Sequence, residues 1–150
     1  MMIHFEAPTN ERQNQVSRVF GEFVRILTGT ARATFKLVSI EHFVMPAIRL
    51  GQYQIVYNKR GVPVAYMCWA FLSDEVCNEY LSGSDRLLHI SEWNEGANLW
   101  VMDIVSPYGF TRELLSIFKK KISTDRILYG RRYVGDRSVI KRINYVRRGP

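Results

Sequence analysis

Between Val62 and Leu72 the chain carries no charged side chain and no polar face: Val64 to Leu72 runs through Ala65, Tyr66, Met67, Cys68, Trp69, Ala70 and Phe71 without alternation. A strand of that composition has to be covered on both faces. It therefore belongs at the centre of a sheet, and the rest of the chain must supply a layer on each side. Upstream, Met45 to Tyr57 is rich in β-branched and aromatic residues, and Asn58-Lys59-Arg60-Gly61 is a short polar break ending in glycine. Together the two runs predict an antiparallel hairpin.

The covering layers are legible on either side of this hairpin. Val16, Val19, Phe20, Phe23, Val24 and Leu27 recur at helical spacing, which predicts an amphipathic helix opening near Thr9 or Asn10 and stopping at Gly29. Thr28 to Thr34 is small and polar and reads as an exposed loop, a usual place for functional groups. Phe35 to Val44 alternates loosely and predicts a first strand. After the hairpin, Ser73-Asp74 caps a short helix with Val76, Cys77, Tyr80 and Leu81 inward, ending at Ser82-Gly83. A polar connection with Trp93 and Asn94-Glu95-Gly96 leads to a buried strand from Asn98 to Val105. Thr111 to Ile122 predicts a helix with Leu114, Leu115 and Phe118 inward, and Arg126 to Tyr133 and Val139 to Arg147 predict two final strands. The fold class is α/β (α+β), with helices packed on a mixed, mostly antiparallel sheet.

At 150 residues the chain has the size of a single domain, 1–150, with one core. No apolar run approaches the roughly 18 residues of a membrane span. The start, Met1 to Glu6, lacks a basic region followed by an apolar one, so the expectation is a cytoplasmic protein with no membrane span. Cys68 and Cys77 fall in a central strand and a helix, where a reduced, buried state is expected rather than a bridge. The net charge of +7 is uneven: from Lys119 onward 11 basic residues face Asp125 and Asp136, a local net of +9, while the preceding 118 residues sum to −2. Such an end attracts an acidic partner, or is a solvated strand edge protected by its charge. Arg131, Arg132, Lys141, Arg142, Arg147 and Arg148 do not form a recognised nucleic-acid reading motif, so no nucleic acid is expected as a partner.

One residue in the buried strands is out of place. Asp103 interrupts Trp100 to Val105, and a buried carboxylate is costly unless paired or hydrogen-bonded. Regular alternation points it with Val101 and Val105, away from Met102 and Ile104, so its partner has to come from another element. Both a structural and a catalytic role fit that position. Other templates fit poorly. The sequence has neither a phosphate-binding Gly-Lys-Ser/Thr loop nor a dinucleotide glycine fingerprint. Arg132-Tyr133-Val134-Gly135-Asp136-Arg137, the nearest stretch to a coenzyme A pyrophosphate loop, has arginine where a small residue is wanted, and His4, His42 and His89 are too scattered for a metal set.

Several blocks taken in order resemble the toxin-activating lysine acyltransferases, partners of RTX toxins such as the hemolysins. They are Met45-Pro46-Ala47-Ile48-Arg49 with Gln52-Tyr53, Pro63-Val64-Ala65-Tyr66 with Trp69-Ala70, Trp93 with Gly96, and Asp103 followed by Pro107-Tyr108-Gly109. The similarity runs from about Phe20 to Val146. It implies a fold related to the Gcn5-type N-acetyltransferases and transfer of a fatty acyl chain from acyl-acyl-carrier-protein to internal lysines of an RTX protoxin. No bound cofactor is expected. Acyl carrier protein is acidic and suits the cationic C-terminal end, and pairing into a homodimer stays open.

The resemblance also implies catalytic residues. The family's aspartate matches Asp103 and works with a histidine in the loop after the first helix, but the matching position, counted back from Pro46, is Arg32. The family's Ser-Pro pair before it is replaced by Gly29-Thr30. A guanidinium, with a pKa above about 12, is no general base. Three accounts are open: Arg32 binds Asp103 or polarises the thioester carbonyl, His42 supplies the imidazole from a neighbouring strand, or the protein binds its partners without efficient turnover. An apolar groove beside Tyr66, Trp69 and Trp100 is expected to hold the acyl chain.

Overall fold

The computed structural model describes residues 10–122, 127–134 and 137–144, and in the last two segments the side chains of 127–131, 139, 140 and 142. Helix α1 (Glu11–Thr28) begins where the Asn10 side chain accepts a hydrogen bond from the Gln13 amide and ends at Gly29. Of the stripe that the spacing predicts, Val19, Phe23 and Leu27 are buried and Val16, Phe20 and Val24 partly so, and Ile26, outside that stripe, is buried as well. A 3₁₀ turn (Ala31–Thr34) follows, then α2 (Leu37–Leu50), which ends at Gly51 with φ +68°.

Helix α2 corrects the expected first strand and shortens the expected hairpin. Ile40, Val44, Ala47 and Ile48, buried together with Pro46, form a helical repeat hidden in the sequence by the β-branched residues around it. Pro46 sits inside the helix. There it removes one backbone donor without ending the element, because the buried apolar face holds the turn in place.

The hairpin proper is β1 (Tyr53–Tyr57) and β2 (Pro63–Leu72), joined by a turn in which the Asn58 side chain accepts from the Arg60 and Val62 amides. Then come α3 (Asp74–Leu81), a 3₁₀ turn (Ile90–Trp93), β3 (Asn98–Val105), α4 (Thr111–Lys121), β4 (Ile127–Val134) and β5 (Arg137–Asn144). The sheet order is β1-β2-β3-β4-β5. All neighbours are antiparallel except β3 and β4, whose parallel pairing requires the α4 crossover.

Strand β2 is buried on both faces, as its composition demands. On one face Tyr66, Cys68, Ala70 and Leu72 meet α1, α2 and α3; on the other Ala65, Met67 and Trp69 meet Leu114 and Phe118 of α4. Each large side chain so buried contributes about 1.5–3 kcal/mol. Gly96 is where the next loop crosses the end of β2: a Cβ there would lie 2.0 Å from the Leu72 carbonyl oxygen, so any larger residue displaces the crossing. The layered, mixed-sheet architecture is consistent with the Gcn5-type N-acetyltransferase-like fold that the family resemblance implies. Cys68 and Cys77 are both free and buried, and no helix among the described residues is long and apolar enough to cross a membrane.

Candidate active site

The residue that looked misplaced in β3 sits at a fault in the sheet. Tyr66 pairs with Val105, Met67 with Ile104 and Cys68 with Asp103, but Trp69 then pairs with Val101, so Met102 is an extra residue without a counterpart on β2. The bulge changes which way the strand faces. Val101 packs with the α4 layer while Val105 packs with α1 and α2, so Asp103 does not point with Val101, contrary to simple alternation. Instead the bulge turns the carboxylate toward Tyr66 and the α1–α2 connection.

That connection is built to deliver one cation. Thr30 donates its hydroxyl to the Leu27 carbonyl (2.7 Å) and accepts the Arg32 amide (3.1 Å), which folds the chain back immediately after α1. Arg32 then reaches the sheet and binds Asp103 with both terminal nitrogens: Nη1 to Oδ2 at 2.7 Å and Nη2 to Oδ1 at 2.9 Å. Its guanidinium carbon lies 5.7 Å from the centre of the Phe43 ring of α2, a cation–π contact on the guanidinium's face. Tyr66 donates its hydroxyl to Asp103 Oδ2 at 2.6 Å, and its ring stacks on Phe23 with centroids 4.0 Å apart.

The electrostatics follow from this geometry. Burial opposes the Arg32 charge, but the hydrogen bonds and the charge of Asp103 outweigh it and raise the guanidinium's pKa further. Burial, reinforced by the Asp103 charge, also raises the Tyr66 hydroxyl and the Cys68 thiol. Cys68, wholly buried, is therefore a thiol rather than a nucleophilic thiolate. The Asp103 side chain is 10% exposed and that of Arg32 is 32% exposed, so the solvent-facing member of the pair is the cation.

Two expected features are placed differently. His42 lies on α2, not on a strand, with its ring at the surface. It lines a small cavity of about 60 Å³ together with Phe43, which carries Arg32, and Met102, which precedes Asp103, but no hydrogen bond joins it to either member of the pair. The expected acyl groove is corrected outright: Tyr66, Trp69 and Trp100 are 0%, 5% and 2% exposed, and Trp69 faces the α4 layer while the other two face α1–α3. A cleft of about 410 Å³ lies instead between α1 and α2, lined by Val16, Phe20, Leu37, Val38 and Met45 with Arg49 and Glu41 at its rim.

Beyond the bulge the sheet opens. The β3–β4 register covers Leu99 to Val101 against Leu128 to Gly130, and Met102 to Val105 lie past it. The Asp103 carboxylate thus stands beside the point where two parallel strands part. In the cationic cluster, Arg131 is engaged inside the protein: it donates to the Tyr80 and Ser84 carbonyls and lies over the Tyr80 ring. Arg142 is exposed, whereas the side chains of Arg132 and Lys141, the residues Arg147 and Arg148, and the loop through Gly135 and Asp136 lie outside the described residues. Among the described residues no cluster of potential metal ligands occurs. Sequence reasoning placed Tyr66 beside an acyl groove and not on Asp103, although a buried tyrosine hydroxyl in so apolar a run calls for a hydrogen-bond partner.

Known proteins fit this picture. The family model of the RTX toxin acyltransferase family matches residues 12–146. The chain is 28% identical over 128 residues to an uncharacterized protein of Synechocystis, covering 84% of this chain and 86% of that one. It is 29% identical over 79 residues to the lysine-acyltransferase RtxC of Vibrio cholerae (53% of this chain, 51% of the relative). It is 34% identical over 85 residues to the protein-lysine myristoyltransferase HlyC of Escherichia coli (57% and 48%). The matched stretch therefore spans about half the length of these named acyltransferases. With nearly its whole length matched by the family model, the chain belongs to the RTX toxin acyltransferase family.

Proposed function

We propose that this protein is a protein-lysine acyltransferase that moves a fatty acyl group from acyl-acyl-carrier-protein to internal lysines of an RTX-type protoxin. The observation that carries the reading is the Arg32–Asp103 pair, held on a β-bulge where β3 and β4 part, in a chain matched by the family along most of its length. In the reaction the neutral lysine amine attacks the thioester carbonyl carbon, a C–N bond forms, the C–S bond breaks, and the thiol leaves with a proton.

Each residue has a role in that sequence. The strand edge from Met102 to Val105 offers backbone donors and acceptors past the end of the β4 register, where the amide-bearing arm of a carrier thioester lies down as an added strand. The exposed side of the Arg32 guanidinium stabilises charge growing on the thioester oxygen. Asp103 orients the amine or accepts its proton. His42, on the cavity wall it shares with Phe43 and Met102, is a further proton acceptor. The α1–α2 cleft follows α2 from Leu37 to Arg49, about 18 Å at a rise of about 1.5 Å per residue. One leaflet of bilayer hydrocarbon, about 15 Å, sets the reach of a fatty acyl chain, so the cleft is long enough to bed one.

Incubation with acyl-acyl-carrier-protein and protoxin is expected to yield an acylated lysine by mass spectrometry. Asp103→Asn is expected to lower the rate roughly 10²- to 10⁴-fold. No acylation beside an active control enzyme overturns the reading. A second reading has its own support, because Arg32 replaces a base and occupies the carboxylate: the protein binds acyl carrier or toxin without efficient turnover. In that case Asp103→Asn leaves carrier binding and toxin maturation at the level of the unmodified protein.

A further inference from the structure

A carboxylate has about four lone-pair sites. In Asp103 three of them are taken: Oδ2 accepts from both Arg32 Nη1 and the Tyr66 hydroxyl, and Oδ1 accepts from Arg32 Nη2. The fourth, on Oδ1, has no donor among the described residues. The two oxygens are thereby made unequal. Oδ2 is saturated by scaffold, and Oδ1 keeps one open position.

We infer that Tyr66 is a positioning residue, which saturates Oδ2 of Asp103 so that Oδ1 alone meets the attacking nitrogen of the acceptor. This rests on the acyl-transfer reading above and adds to it the identity of the operative oxygen and of the residue that selects it. Tyr66 suits the task because it cannot move away. Its side chain is wholly buried, its ring is stacked on Phe23 of α1, and its backbone pairs with Val105 two residues past the carboxylate. Arg32 alone would hold the carboxylate by its two outer corners and leave one position open on each oxygen, so an incoming amine would have two ways to bind and one wrong attack direction. The hydroxyl removes the second. The same bond orders the tyrosine: a buried hydroxyl without a partner is costly, which ties the site's geometry to the packing of β2.

The test compares acyl transfer from acyl-acyl-carrier-protein to protoxin by the unmodified protein, Tyr66→Phe, Asp103→Asn and the double variant. Tyr66→Phe is expected to lower kcat roughly 10- to 100-fold, the scale of one hydrogen bond to a charged group, with KM for the donor unchanged. In the double variant the second change is expected to have no further effect, since Tyr66 acts through Asp103. An unmodified protein that turns over while Tyr66→Phe keeps its kcat overturns this inference and leaves the acyl-transfer reading standing; so do losses that multiply in the double variant. An unmodified protein that acylates nothing overturns both. Should Tyr66→Phe fail to fold, 3-fluorotyrosine at position 66 keeps the ring and the hydroxyl while changing its donor strength. A kcat unmoved by that replacement then counts against the inference.

Discussion

Arg32 and Asp103 neutralise one another, and most of what the site can do follows from that. A carboxylate this far from water needs its partner: leaving one member of a buried pair alone costs about 3–5 kcal/mol, and the partial exposure of Arg32 brings the figure here to about 2 kcal/mol. Arg32→Ala is therefore expected to lower the melting temperature by several degrees, and Arg32→Lys, which keeps the charge but loses the two-pronged geometry, by less; thermal unfolding followed by circular dichroism measures both. The sequence announces this site only in part. An acid among Trp100, Val101, Met102, Ile104 and Val105 is visible as an anomaly, and Arg32 is reachable by spacing from Pro46. The direction of the carboxylate is not, because it depends on an extra residue at Met102 that exists only relative to β2. A bulge is a property of two strands, and a single strand's residue pattern does not contain it.

Among the elements, α2 shows where local pattern and tertiary packing part company. Val38, Ile40, Phe43, Val44 and Ile48 carry strand-like side chains, and Pro46 reads as a break, yet the segment is a helix because its apolar stripe fits between α1 and the sheet. By contrast α1, β2, α3 and α4 are legible in the sequence, since the side-chain caps of α1 and α3 and the apolar patterning of all four agree with their burial, except that Leu81, expected inward, is exposed at the end of α3. The pairing of α1 with β1 yields a measurable pH effect. Tyr57 donates its hydroxyl to Glu22 at 2.5 Å, and burial together with that carboxylate raises the phenol to about 12 from an ordinary 10.0. A proton held more tightly in the folded state contributes stability that is complete below pH 10 and fades as pH rises toward 12. The fall in melting temperature over that window is expected to be smaller in Tyr57→Phe than in the unmodified protein. Equal slopes would remove the Tyr57–Glu22 bond from the account of alkaline stability.

For the molecule as a whole, the sheet is fastened unevenly. β1, β2 and β3 are joined through antiparallel ladders and sealed between helices on both faces, whereas β4 and β5 are joined fully to each other and, among the described residues, are paired to the rest of the sheet only through Leu99, Trp100 and Val101. The stack of Tyr129 on Trp100 and the burial of Leu128 reinforce that short seam. Such a junction divides the chain into two cooperative units, of which the C-terminal ribbon is the one that opens first. Amide hydrogen exchange is expected to report this as faster deuterium uptake in Ile127 to Val134 than in Pro63 to Leu72 at equal denaturant. A thioester arm that bridged the parted strands would slow the ribbon's uptake more than that of β2, so donor binding would be readable as a tightening of the seam before any bond is made or broken.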